Sequence, residues 1–161
     1  METRIQATGL TMHFGDIKAV RGIDLEVRSG EVLGFLGPNG AGKSTTMRMI
    51  TGFLDPTAGS VSINGLDIAE SSLEARKLMG YLPEGAPVYP DMTVAEFLLF
   101  VARARGYRGS SAHSRIASVV DQVHLGDVTG QTIETLSKGF KRRVGLAQAM
   151  VHDPPILILD F

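Results

Sequence analysis

The chain has 161 residues, of which 43% are hydrophobic and 20% are charged, and its formal net charge is −1. This size and composition indicate one globular domain, and the absence of Cys excludes disulfides and Cys-based zinc sites. No apolar run approaches the roughly 18 residues that a membrane helix needs. No secretory signal follows Met1, so we expect a soluble cytoplasmic protein.

The charge is unevenly distributed along the sequence. Between residues 101 and 143, eight Lys or Arg residues stand against three acidic residues, so the remainder of the chain is acidic. Such asymmetry is typical either of a surface that meets an anionic partner or of a solvated helical face, and both interpretations stay open.

The first part of the chain is rich in strand and turn patterns. Apolar and polar residues alternate over residues 23–27, which predicts a half-buried strand. The continuous apolar run 32–36 predicts a strand buried on both faces. A glycine-rich loop follows, and residues 43–51 then predict a short helix. A turn at 55–59 and renewed alternation at 60–64 predict another strand.

The middle of the chain changes to helical patterns. Residues 71–79 predict a helix and residues 80–82 a short strand, after which Gly and Pro between residues 84 and 90 suggest a hinge. Thr93 and Glu96 form a predicted capping box, which opens a helix that we expect to end at residue 105.

Two more helices and a strand are predicted after that helix. The spacing of Ile116, Val119, Val120 and Val123 predicts one apolar helix face, and residues 138–152 predict the next helix, which Pro154-Pro155 stops. Residues 156–159 form an apolar strand that ends in Asp160. The fold class is therefore α/β, with a core at 1–84, an α-helical insert at 85–150, and a return to the core at 151–161.

A phosphate-binding loop stands out in the predicted core. The segment Gly37-Pro38-Asn39-Gly40-Ala41-Gly42-Lys43-Ser44 fits the pattern G-x-x-x-x-G-K-[ST], between a predicted strand and a predicted helix. Glycines let backbone N–H groups curl around a phosphate, and the helix N-terminus adds partial positive charge. Lys43 can reach the β- and γ-phosphates, and the Ser44 hydroxyl can bind Mg²⁺. A Gly-rich turn with an incidental Lys is the alternative.

The strand before Asp160 has the form of a Walker B motif. Four apolar residues end in a carboxylate, which in this motif holds Mg²⁺, usually through water. Many buried strands end in Asp, so the pattern gains its meaning from its pairing with the phosphate-binding loop.

The segment Leu136-Ser137-Lys138-Gly139-Phe140 resembles the signature motif of ABC-type ATPases, usually L-S-G-G-Q. The loop at residues 37–45 has that family's commonest wording, and the motif order also matches across essentially the whole chain. The resemblance implies a P-loop NTPase with a mixed sheet core and an inserted α-helical subdomain. The wording of Tyr81-Leu82-Pro83-Glu84 resembles the branch that drives type-2 bacterial exporters, whose membrane spans usually lie on a separate chain.

The resemblance also implies roles for single residues. Phe14 would stack on adenine, with a strand-edge core residue as the alternative. Lys43, Ser44 and Thr45 would hold the phosphates and Mg²⁺, and Asp160 would bind Mg²⁺ from the other side. Glu84 stands where the family often has the Gln that senses Mg²⁺ and the attacking water. A carboxylate there can still accept from a water, and a surface Glu in a loop is the alternative.

The signature implies a second nucleotide-binding domain. In the family, two such domains pair head to tail, so Ser137, Lys138 and Gly139 would bind the ATP held by the partner. Lys138 and Phe140 depart from the usual Gly and Gln, which changes the expected contacts. The basic run 141–143 either favours that anionic approach or forms a solvated face.

Phe161 stands where the family has its general-base Glu. Because Phe cannot polarise a water, and because the D-loop and the later His are also missing, no catalytic set is complete. The C-terminal part of the core is missing too, including a strand expected beside the phosphate-loop strand. We therefore expect this chain alone to be poorly stable, and weak or inactive as an ATPase.

The sequence is thus interpreted as the ATP-binding subunit of an ABC transporter. It would bind Mg-ATP to drive export through a separate membrane-spanning permease, at the inner face of the cell membrane. One alternative is a catalytically dead nucleotide-binding fragment or regulator. Another is a non-transport ABC protein acting on nucleic acid, but the chain has neither two cassettes nor a broad basic surface, so we expect no nucleic acid partner.

Overall fold

The computed structural model describes residues 2–85 and 88–161 and divides the chain into two compact units, residues 1–79 and 80–161. The first unit contains β1 (Thr3–Phe14), β2 (Ile17–Arg28), α1 (Lys43–Ile50), β3 (Ala58–Ile63), β4 (Leu66–Asp67) and α2 (Ser72–Lys77). The strand β5 (Met79–Leu82) leads into the second unit, which contains α3 (Val94–Ala104), α4 (Gly109–Gln122), α5 (Lys138–Met150) and β6 (Ile156–Leu159). Short 3₁₀ turns lie at Gly126–Val128 and Ile133–Thr135.

The first unit is built on a four-stranded antiparallel sheet in the order β2-β1-β3-β4. Inward-facing residues alternate along β1, so that Leu10 is fully buried, and Ile63 of β3 is buried with it. Helix α1 covers part of this core because Thr46, Met49 and Ile50 lie three and four residues apart on one face. The predicted strand at 60–64 and the predicted helix at 43–51 are confirmed to within two residues, as β3 and α1. The predicted strand at 23–27 is confirmed as part of β2, which begins six residues earlier, at Ile17.

The second unit is a helical core with a small strand pair. Helices α3, α4 and α5 bury a common apolar cluster, in which Leu98, Val119 and Val144 are almost inaccessible to solvent. The predicted capping box at the start of α3 is confirmed: Thr93 Oγ1 accepts from the Glu96 N–H at 3.2 Å, and the Glu96 carboxylate accepts from the Thr93 N–H at 2.8 Å. These bonds satisfy donors that a helix start otherwise leaves open.

Strands β5 and β6 pair with each other and end side by side. The Asp160 N–H donates to the Leu82 carbonyl oxygen at 2.8 Å, which continues the pairing one residue beyond β6. Gly80 lets β5 pass against the last turn of α5, since a Cβ there would collide with the Ala149 carbonyl oxygen. The predicted strands at 80–82 and 156–159 are thereby confirmed.

The predicted strand at 32–36 is wrong. The segment carries no strand pairing, and the side chains of Val32 and Leu36 are 97% and 96% exposed. A strand exists only through its ladder, and no segment among the described residues pairs with this one.

Three more expectations have different outcomes. The predicted turn at 55–59 is shorter than expected, because β3 already begins at Ala58. The predicted hinge at 84–90 includes residues 86 and 87, which lie outside the described residues, and the three-part division of the chain stays a prediction. Within the described residues, no helix is both long and apolar enough to cross a bilayer.

Candidate nucleotide-binding site

The glycine-rich loop meets α1 at Gly42, and only glycine fits this position. Gly42 has a φ of 89°, in the left-handed region that side chains disfavour, and it lies at the N-cap of the helix. A Cβ added there would lie 2.5 Å from the carbonyl oxygen of Ala19 and 3.1 Å from Val20 Cγ2. The loop is therefore seated directly on β2. Gly40 also has a positive φ, of 81°, but its surroundings are open.

The N-terminus of α1 is suited to an anion. No side chain caps it, and no acidic residue lies in its first turn. The first backbone N–H groups of a helix have no partners within it, and they coincide with the positive end of the helix dipole. Ser44 and Thr45, both half-buried, stand in this first turn beside Lys43. Backbone donors, two hydroxyls and an ammonium group thus converge on one short segment.

The Lys43 side chain folds back over the loop. Its ammonium group donates to the carbonyl oxygens of Gly37 at 2.5 Å and Pro38 at 2.7 Å, and the Ala41 N–H donates to the same Pro38 oxygen at 3.2 Å. Asn39 is exposed at the tip. A positive charge is thereby fixed above the loop, and these neutral carbonyl partners do not cancel it.

Phe14 lies in the same unit at the end of β1. Its ring is 49% exposed, and it faces Ile17 across a tight hairpin in which Gly15 has a φ of 58°. Ile17 is two residues along β2 from Ala19, the residue that Gly42 contacts, a separation of about 7 Å. An exposed aromatic ring thus stands at the end of β1, next to β2, the strand that supports the phosphate loop. The predicted role in stacking stays a prediction.

The two predicted Mg²⁺ carboxylates lie in the second unit. Asp160 is buried, with 7% of its surface exposed, whereas Glu84 is exposed in the turn two residues after Leu82. Since Asp160 pairs with Leu82, both carboxylates follow the ends of adjacent strands. No group of three or more His, Asp or Glu residues among the described residues could hold a metal by itself. This donor set fits Mg²⁺, which is usually held by one or two carboxylates together with substrate phosphates and waters.

The signature segment begins α5. Ser137 is the N-cap of the helix, and its Oγ accepts from the Phe140 N–H at 3.3 Å. Ser137, Lys138 and Gly139 are all exposed, and the first turn carries no acidic residue. A Cβ on Gly139 would meet only Ser137 Oγ, at 3.9 Å, so packing within the chain does not require glycine there.

The basic run after the signature contacts aromatic rings of this chain. The Arg142 guanidinium lies 4.9 Å from the centre of the Phe161 ring, and the Arg143 guanidinium lies 5.2 Å from that of Phe140. Arg143 also donates to the His124 carbonyl oxygen at 3.4 Å. Both residues are exposed, so an anion-facing surface and a solvated face stay the two predictions for this run.

Sequence reasoning missed a groove in the second unit. It has a volume of about 450 Å³ and is lined mainly by apolar and aromatic side chains. Tyr89 packs against Phe97 and Phe100, with ring centres 6.0 and 5.5 Å apart. Arg105 and Gln148 also line the groove, and partial desolvation lowers the pKa of Arg105 below its ordinary value. The three aromatic residues within twelve positions were the available signal.

These features define a P-loop NTPase: a glycine-rich loop, an uncapped N-terminus of α1, and the Lys43 side chain folded back over the loop. Residues 20–160 match the family model described as ABC transporter, and the chain belongs to this family. A solved structure entitled "Structure of ATP binding subunit of ABC transporter" superposes with a TM-score of 0.86 at 28% identity, over 97% of this chain and 65% of the other.

Two curated relatives are similar over almost the whole chain. It is 40% identical to "Probable multidrug ABC transporter ATP-binding protein YbhF" of Escherichia coli K12, over 99% of this chain and 28% of YbhF. It is 36% identical to the linearmycin resistance ATP-binding protein LnrL of Bacillus subtilis 168, over 97% of this chain and 50% of LnrL. The chain thus spans half or less of the length of these relatives.

Proposed function

We propose that this chain binds Mg-ATP as the nucleotide-binding part of an ABC exporter. The observation that carries the proposal is the arrangement at α1, where an uncapped helix N-terminus and the Lys43 ammonium group both face the glycine-rich loop. Backbone N–H groups and a fixed cation are the chemistry that binds a polyphosphate.

Different residues are proposed to bind different parts of Mg-ATP. Residues 37–45 hold the phosphates, and Phe14 stacks on the adenine. The Ser44 hydroxyl and the carboxylates of Asp160 and Glu84 are the candidate ligands of Mg²⁺, which neutralises phosphate charge when it is bound. These assignments are proposed from the family resemblance.

The direction of transport is proposed from relatives. LnrL is named for resistance to linearmycin, and a relative in Burkholderia lata, 39% identical over 147 residues, is named as a Nod factor export protein. The second of these names describes movement out of a cell. We therefore propose export, powered from the cytoplasmic face of the membrane, for the protein to which this chain belongs.

The groove in the second unit supports a separate permease as the partner. As far as the structure describes it, the lining is mainly apolar, with Tyr89, Phe97 and Phe100 among its members. A permease segment with apolar side chains would complement this lining. Phe100→Asp should release the chain from membranes that carry the permease. Leu73→Asp, at a site 64% exposed in the first unit, should leave it bound.

A second copy of the domain is proposed as the other partner. The exposed N-terminus of α5, with Ser137, Lys138 and Gly139, is open to an anion brought by another molecule. In a head-to-tail pair, this segment would meet the terminal phosphate of the ATP bound to the partner.

Hydrolysis is proposed to be slow, because Phe161 occupies the position of the general base. Phosphate release should stay near background for the wild-type chain and for Phe161→Ala. Phe161→Glu should raise it about 100-fold, the lower end of what a general base contributes. Rapid phosphate release by the wild type would contradict this proposal. Mg-ATP binding without turnover in all three proteins would favour the alternative, a nucleotide-binding regulator.

A further inference from the structure

Thr46 connects the phosphate loop to the interior of the first unit. Its side chain is 1% exposed, next to the phosphate-loop segment but directed away from solvent. The Thr46 hydroxyl donates to the Gly42 carbonyl oxygen at 2.8 Å, and the Thr46 N–H donates to the same oxygen at 2.9 Å. This carbonyl group, at the last residue of the loop, is thus held by two donors.

Holding the Gly42 carbonyl also orients the next N–H group. In a trans peptide the C=O and N–H bonds point in opposite directions. Because the Gly42 oxygen points into α1 towards Thr46, the Lys43 N–H must point out of the helix N-terminus, into the loop. Gly42 has a φ of 89° and no side chain to restrict it, so other contacts must fix this peptide plane.

We propose that Thr46 is a positioning residue for the polyphosphate of the nucleotide. Its hydroxyl keeps the Gly42–Lys43 peptide in the orientation that presents the Lys43 N–H to an anion, without touching the anion itself. The inference rests on the proposed binding of ATP at this loop, and it adds a buried residue to the exposed ones that the motif supplies.

The same helix contains a matched control. Thr51 is 2% exposed and follows the last residue of α1. Its hydroxyl and its N–H both donate to the Met47 carbonyl oxygen, at 2.8 and 3.0 Å. The Thr51 hydroxyl also lies 3.2 Å from the Arg48 carbonyl oxygen. Thr46 and Thr51 therefore have similar burial and the same bonds to the carbonyl four residues earlier, and they differ in which end of the helix they hold.

The test is the affinity for Mg-ATP, measured by titration calorimetry on the wild type, Thr46→Val, Thr46→Ser and Thr51→Val. Valine keeps the shape of threonine but removes the hydroxyl. We expect Thr46→Val to bind about five- to tenfold more weakly, the effect of one hydrogen bond. Thr46→Ser and Thr51→Val should bind as the wild type does. The two valine variants should lose similar stability in urea.

Equal affinities of Thr46→Val and Thr51→Val, with a wild type that binds, would overturn the inference alone. A wild type that binds no Mg-ATP would overturn the proposed function, and the inference with it. If Thr46→Val does not fold, Thr46→Ala and Thr46→Ser replace it. Serine should then bind as the wild type does and alanine five- to tenfold more weakly, and equal binding of these two would overturn the inference.

Discussion

The Lys43 ammonium group donates a hydrogen bond to the Pro38 carbonyl oxygen at 2.7 Å, across the loop that precedes its own helix. A lysine side chain is flexible in solution, so this contact defines where its charge resides. The charge lies over the loop, beside the open N-terminus of α1. This one relationship unites the two features that a polyphosphate site needs.

Phe14 should contribute to the affinity for ATP but not to the affinity for a polyphosphate without a base. Phe14→Ala is expected to weaken ATP binding about five- to 150-fold, because stacking on one base contributes about 1–3 kcal/mol. Inorganic tripolyphosphate has no base, so its affinity should not change. Both affinities can be measured by competition with a fluorescent nucleotide. Ile17→Ala, opposite Phe14 on the hairpin, is the control. An equal loss for both ligands would refute the stacking role.

Two glycines of the loop should respond differently to alanine. Gly42→Ala should lower the free energy of unfolding by about 3 kcal/mol or more, because backbone strain is combined with a collision against the Ala19 carbonyl oxygen. Gly40→Ala meets no atom within 4 Å, so backbone strain alone, about 1 kcal/mol, should remain. Urea unfolding followed by circular dichroism measures both. Equal losses would show that the loop is not seated on β2.

The capping box of α3 should make stability depend on pH. Hydrogen bonds from the Thr93 N–H, and then from the Thr93 hydroxyl, lower the pKa of Glu96 below its ordinary value of 4.5. The ionised form is thus favoured in the folded state. Its contribution is present above the pKa of the unfolded chain and is lost as the pH falls through the lower, folded pKa.

Glu96→Gln is the variant that tests this dependence. It should be less stable than the wild type in urea at pH 7, and the difference should shrink below about pH 4.5, where the unfolded glutamate takes up its proton. A difference that stays constant between pH 7 and pH 3 would contradict the assignment.

Local features of the fold could be predicted from the sequence because their causes are local. The capping box needs only Thr93 and Glu96, and the bend at Gly42 is imposed by the motif itself. The strand prediction at 32–36 was wrong because apolar residues indicate only that a segment favours burial, whereas a strand also requires a second segment to pair with. Among the described residues no segment covers Val32 and Leu36, and both side chains are exposed.

The site could be predicted in part for the same reason. A phosphate loop has a fixed sequence pattern because its backbone geometry requires certain residue types, so Lys43 and its neighbours could be predicted. Thr46 could not, since its role depends on a hydroxyl that turns inward. The groove joins Tyr89 to Gln148, which are far apart in the chain, and only the packing of α3 and α5 brings such residues together.

The central claim is that this chain binds ATP through the phosphate loop. Equilibrium dialysis with labelled ATP and Mg²⁺ tests it most directly, on the wild type, Lys43→Ala and Lys77→Ala. Lys77 is an exposed lysine at the end of α2, outside the phosphate-loop motif. We predict saturable binding by the wild type and by Lys77→Ala, and binding at least about tenfold weaker by Lys43→Ala, the loss of one charge-assisted contact. Equal binding by all three proteins, or none by the wild type, would contradict the account.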